Sequence, residues 1–186
     1  MDLILASASP RRADLLSSAG FSFRVVAAEI DETPRNGETA GEYALRMARE
    51  KAAAVHVRAD GVPVLAADTV VIAGEQILGK PEDAADAARM LNLLSDTVHT
   101  VQTAVVLLSG SQSASELCST RVHFRRLSPE EIAWYVATGE PTGKAGAYAI
   151  QGRAARFIDW IDGSWSNVVG LPIATVHHML KAAGIT

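Results

Sequence analysis

Apolar and polar positions alternate between two rhythms along this chain. Leu3-Ile4-Leu5-Ala6 is a short unbroken apolar run and predicts a buried strand. Ser9 then stands where a helix N-cap belongs, and Pro10 at the first helical position, where no backbone N–H is needed. Leu15, Leu16 and Ala19 supply one helical face, and Gly20 stops it. Residues 22–27 read as a strand, followed by an acidic loop over Glu29 to Pro34. Thr39 and Glu42 have capping-box spacing and open a helix that runs past Lys51 towards Arg58.

The second half follows the same logic. Val62 to Ala67 predicts a strand that ends at Asp68-Thr69, and Gly74-Glu75 turns a hairpin between 70–72 and 77–78. A helix is expected over 82–94, two long strands near 98–108 and 114–126, and a capped helix from Ser128 to about Thr138. Strands near 147–150 and 155–161, a loop over 163–167 and a last helix from Pro172 to Gly184 complete the chain. Helices and strands intermix throughout, so the class is α/β. The 98–126 pair must be antiparallel, so the sheet is mixed.

The chain has 186 residues with 48% apolar and 20% charged composition, enough for a packed core in one large domain or two small lobes. Its net charge of −4 argues against a general binder of duplex nucleic acid. Cys118 is alone, so neither an internal disulfide nor a thiolate zinc site can form, and it reads as a buried strand residue. No apolar run reaches membrane-spanning length, and no secretory pattern opens the chain, so a cytoplasmic location is expected. Trp134 and Trp160 read as core or lobe-packing residues; the glycine-flanked loop carrying Trp165 is less defined.

The chain lacks the Gly-rich P-loop, the dinucleotide fingerprint, the zincin helix and the nucleophile elbow. His177 and His178 point about 100° apart on a helix and cannot share a face. What remains are polar residues beside apolar strands. Ser7, Ser9, Arg11 and Arg12 bring hydroxyls and guanidinium groups to a helix N-terminus, where an anion is favoured; a capped helix with two solvated arginines fits equally well. Asp68 at a strand end suits a general base or metal ligand, or a turn aspartate. Lys80 sits on a Gly-Lys-Pro turn, Lys144 in a Gly-rich loop, and Lys51 late on a helix, where its charge also suits the dipole. Glu32 shares the acidic loop with Asp31. Together they suit a polyanionic ligand held with a divalent metal. A nucleotide-sensing regulator without catalysis and an acidic interaction module are the other classes open to such a set.

In order along the chain stand Ala6-Ser7-Ala8-Ser9-Pro10-Arg11-Arg12, Asp31-Glu32-Thr33, Arg49-Glu50-Lys51-Ala52, Ala67-Asp68-Thr69-Val70, Gly79-Lys80-Pro81, Lys144-Ala145-Gly146-Ala147-Tyr148, Ile150-Gln151-Gly152 and Asn167 to Pro172. This set resembles the Maf family of nucleoside triphosphate pyrophosphatases. The resemblance implies one two-lobed Maf/ITPase-like domain over residues 1–186, with an elongated mixed sheet, flanking helices and a central cleft. It implies Mg²⁺- or Mn²⁺-dependent hydrolysis of a nucleoside triphosphate to the monophosphate and pyrophosphate, a homodimer, and a link to nucleotide-pool sanitation and arrest of cell division.

In such a family Asp68 is the catalytic base and, with Glu32, the metal ligand. Arg11, Thr69 and Gln151 fall at positions of substrate choice, and Ser7, Ser9, Arg12, Lys51, Lys80 and Lys144 at the phosphates. Thr69 after Asp68, and Gln151 within Tyr-x-Ile-Gln-Gly, are similar to the branch acting on dTTP and UTP. Gly143 stands where the family often has Asp, and Ala149 where Gly is usual.

Overall fold

The computed structural model describes residues 3–185. The chain divides into two compact units. The first comprises the chain up to Asp68, residues 103–118 and the chain from Gly170 on; the second comprises 69–102 and 119–169.

In the first unit, strand β1 (Ile4–Leu5) lies parallel to both β2 (Arg24–Val25) and β3 (Val64–Ala73). Helix α1 (Pro10–Ser18) makes the first crossover and α2 (Ala40–His56) the second. Parallel neighbours need such helical connections. The core gathers Leu3, Leu5, Leu16, Leu65, Val105 and Leu107 against Leu171, Val176 and Leu180 of the C-terminal segment, which carries α6 (Ile173–Ala182). Thr39 caps α2 with the reciprocal Thr39–Glu42 bonds that its spacing predicts.

The second unit holds β4 (Gln76–Leu78), antiparallel to the far end of β3, helix α3 (Ala84–Leu94) and helix α4 (Pro129–Ala137), capped by Ser128 and Glu131. Strands β5 (Val98–Ser109) and β6 (Gln112–Phe124) form a hairpin with a two-residue turn, and β7 (Ile158–Asp162) pairs antiparallel with β6. The strand order is β2-β1-β3-β5-β6-β7, with β4 beside β3. The mixed α/β class is therefore as expected.

Several local expectations are corrected. The strand expected over 22–27 shrinks to two residues. No strand forms at 147–150; a 3₁₀ turn over Ala145–Ala147 precedes an irregular stretch, and a second over Arg153–Phe157 delays β7. Residues 165–169 form a short helix, α5, instead of a loop. Trp134 and Trp160 are 39% and 42% exposed, so neither is a core residue. Arg156 covers the Trp134 ring at 4.2 Å, and His123 stacks on Trp160. Cys118 is only half-buried, its Sγ 3.1 Å from Thr175 Oγ1. Among the described residues no helix is long and apolar enough to cross a membrane.

One buried group in the second unit titrates in an accessible range. His99 is 1% exposed, its Nε2 2.8 Å from Tyr148 Oη, and burial, aided by the charge of His123, pulls it down to about 4. An unfolded histidine titrates near 6.5. Between those values the unfolded chain binds the proton and the folded chain does not, so stability present above about pH 6.5 is lost as the pH falls towards 4. The full difference is about 3 kcal/mol. Urea midpoints measured across that window should fall more steeply for the native chain than for His99→Gln; parallel curves would contradict the assignment.

Candidate active site

Strand β3 is buried over Val64 to Ala67 and again at Val70 and Val71; between them Asp68 and Thr69 interrupt the apolar run and are partly exposed. The sequence reading placed Asp68 at a strand end. In the structure β3 continues five residues beyond it, because Val70 and Val71 resume the buried pattern. A carboxylate inside a buried strand needs a counter-charge. It finds one in Lys51, whose Nζ lies 2.7 Å from Asp68 Oδ1.

Lys51 is placed for this by the period of α2. Ala44, Met47, Ala48, Ala52 and Val55 form the buried stripe of that helix, and Lys51 stands four residues from both Met47 and Val55. Its side chain is 12% exposed and contacts a second carboxylate, Glu32 Oε1, also at 2.7 Å. One ammonium thus holds two acids that are 36 residues apart in sequence. Tyr43, one turn before Met47, feels this charge. Its hydroxyl is pushed up to about 12, first by burial and then by the negative Asp68 and Glu32.

The N-terminal motif departs from a capped helix with two solvated arginines. Ser9 occupies the N-cap position of α1, but its side chain makes no capping bond; its N–H donates to Ser7 Oγ. Arg12 is not solvated. It is 9% exposed and donates from Nε to the Gly170 carbonyl (2.8 Å), and from Nη1 to the Ala67 carbonyl (2.7 Å) and Ser7 Oγ (3.2 Å). Burial pulls its guanidinium below the usual range, and Asp68 opposes that shift. Arg12 therefore ties the start of α1 to the residue just before Asp68 and to the turn leading into α6. Arg11 is half-buried, which lowers its guanidinium pKa too.

In the second unit, Gln151 is exposed at the end of a pinned loop. Gly146 N–H donates to the Gly79 carbonyl at 3.1 Å, joining this loop to the Gly79-Lys80-Pro81 turn. Gly146 has φ +69°, and a Cβ there would meet Val71 at 3.0 Å, so only glycine fits without displacement. Beyond Gln151, a Cβ on Gly152 would strike the Glu140 carboxylate at 2.5 Å. That carboxylate accepts the Arg153 and Ala154 N–H groups and the Tyr135 hydroxyl. Lys144 turns its ammonium onto the Glu140 carbonyl, which engages it within its own loop.

The structure thus brings Glu32, Lys51 and Asp68 together, and links Ser7 and Arg12 beside them through the Ala67 carbonyl. Thr69, Lys80, Lys144 and Gln151 belong to the second unit. Among the described residues no group of three or more His, Cys, Asp or Glu forms a metal cluster. Sequence reasoning missed Tyr43, Arg46 and Glu140. The one available signal was an Arg and a Tyr three residues apart, with Lys51 further along the same helix.

Residues 2–183 match the family described as Maf-like protein. The chain belongs to the Maf family. Curated relatives of this Maf chain include the dTTP/UTP pyrophosphatase of Pelotomaculum thermopropionicum, 48% identical over 98% of this chain and 97% of that protein. The dTTP/UTP pyrophosphatase of Anaeromyxobacter sp. is 52% identical over 98% of this chain and 89% of that protein. Among solved structures, the Staphylococcus aureus Ham1 protein aligns with a TM-score of 0.51 at 12% identity, over 98% of this Maf chain and 100% of that chain. That likeness shows a shared fold.

Proposed function

We propose that this Maf chain hydrolyses dTTP and UTP between the α and β phosphates, releasing the monophosphate and pyrophosphate. The observation that carries the reading is the single ammonium of Lys51 holding the carboxylates of Asp68 and Glu32. It stands in a chain about half identical, over nearly its full length, to proteins bearing that name.

In this reading Asp68 accepts the proton of the water that attacks the α-phosphorus, and Lys51 fixes the carboxylate that does so. Ser7 and Ser9, beside the start of α1, offer their hydroxyl groups to the phosphates. Lys51 and Lys80 stabilise the negative charge that grows on the leaving pyrophosphate. Arg12 keeps a buried positive charge near Asp68 and shapes the site. Lys144, already engaged by the Glu140 carbonyl, shapes its loop instead of meeting phosphate.

Arg11, Thr69 and Gln151 select the base. A Gln amide donates and accepts at once, as a uracil or thymine edge requires. Glu32 and Asp68 are hard oxygen donors, and phosphate and water oxygens can complete an Mg²⁺ or Mn²⁺ shell around such a pair, so these residues fit a divalent ion. When bound, such an ion supplies charge stabilisation at the phosphates.

The partner is a small anion held by local cations, the net charge of −4 disfavours duplex nucleic acid, and a cytoplasmic location belongs to the same proposal. A homodimer belongs to the same proposal, with sedimentation as its check. The test of the reading is a panel of triphosphates with a pyrophosphate readout. UTP and dTTP should lead, and a chain that releases pyrophosphate from neither is not this enzyme. Gln151→Glu should lower kcat/KM for UTP about ten- to a hundredfold through loss of the amide donor. An unchanged substrate profile would remove Gln151 from base selection.

A further inference from the structure

Residues 26–39, which carry Glu32, contain neither helix nor strand. Beyond Val26, whose N–H donates to the Leu5 carbonyl, no ladder of backbone bonds holds this segment, yet Glu32 meets Lys51 at 2.7 Å. The restraint comes from α2. Tyr43 Oη donates to the Glu32 backbone carbonyl at 2.9 Å. Arg46, three residues on and so on the same helical face, donates from Nη2 to the Thr33 carbonyl at 3.1 Å. Its guanidinium also forks onto Glu38, with Nε at 2.6 Å from Oε1 and Nη2 at 2.7 Å from Oε2. The two side chains are only 13% and 11% exposed, and Arg46 lies 5.5 Å over the Tyr43 ring. Glu38 in turn accepts the Arg35 N–H, and Asp31 accepts both the N–H and the hydroxyl of Thr33. Glu32, Thr33 and Glu38 are thus fastened to one helix, which also carries Lys51.

We propose that Arg46 and Tyr43 are positioning residues that set the place of the Glu32 carboxylate in the site. A fork onto Glu38 plus a carbonyl contact fixes the loop in two directions, which a lysine at the same position cannot do. The proposal rests on the reading that Glu32 serves the reaction, and its test separates the two.

Amide hydrogen exchange over residues 31–39, without nucleotide, reads the restraint directly. It should quicken about tenfold in Arg46→Met and Tyr43→Phe while the rest of the chain keeps its protection. Pyrophosphate release from UTP should then need about ten- to a hundredfold more divalent cation at half-saturation in Arg46→Met, with kcat at saturation nearly kept and Arg46→Lys intermediate. With Glu32→Gln already present, Arg46→Met should cost little more, since both act through one carboxylate. Unchanged exchange in both variants, or fully additive losses in the double variant, would overturn the proposal. If the native chain releases no pyrophosphate from UTP, the proposed reaction fails, and the exchange rates alone still decide whether Arg46 and Tyr43 hold the loop.

Discussion

Asp68→Asn should lower pyrophosphate release from UTP by about 10²- to 10⁴-fold, the usual loss when a general base is removed. The substitution keeps the shape of the side chain. Its amide oxygen can still accept from Lys51, and Lys51 retains Glu32 at 2.7 Å, so neither the strand nor the loop loses its anchor. What disappears is the capacity to take a proton from water. Equilibrium nucleotide affinity should therefore change far less than turnover, and the thermal midpoint should move little. Steady-state kinetics paired with nucleotide titration checks this, and turnover within a few-fold of native would remove Asp68 from the role.

Arg12→Met should destabilise the fold by about 2–6 kcal/mol, the cost of leaving two buried carbonyl acceptors without their donors. The loss leaves the Gly170 and Ala67 carbonyls without the Arg12 donors that now reach them, while Ser7 Oγ keeps the Ser9 N–H. Each such buried acceptor costs about 1–3 kcal/mol when its partner is removed. Urea unfolding measures the effect. Arg12→Lys should recover only part of it, because one ammonium cannot reproduce the planar fork. Native stability with a selective loss of nucleotide affinity would make Arg12 a phosphate ligand instead of a structural tie.

Much of this architecture was readable from local chemistry. The capping boxes at Thr39 and Ser128 and the N1 prolines fixed helix starts, since those signals act within one turn. Asp68 and Thr69 were visible as polar residues beside an apolar run, but their place within β3 was not. Whether a strand continues through a carboxylate depends on a lysine 17 residues away that neutralises it. The two roles read for Arg12, phosphate ligand or solvated arginine, both missed its burial, because its acceptors lie 55 and 158 residues away. The expected strand at 147–150 failed for a similar reason. His99 and Tyr135 hold that apolar stretch by tertiary hydrogen bonds instead of a ladder, and Gly79 holds Gly146 just before it. Arg46 looked like an ordinary helix charge, and only the folded loop reveals what it holds.

The central claim is that water, activated by Asp68, attacks the α-phosphorus of a pyrimidine nucleoside triphosphate. Hydrolysis of UTP in ¹⁸O-enriched water, followed by mass analysis of both products, tests it most directly. The expected result is one ¹⁸O atom in UMP and none in pyrophosphate; label in pyrophosphate, or UDP and orthophosphate as the products, would contradict it.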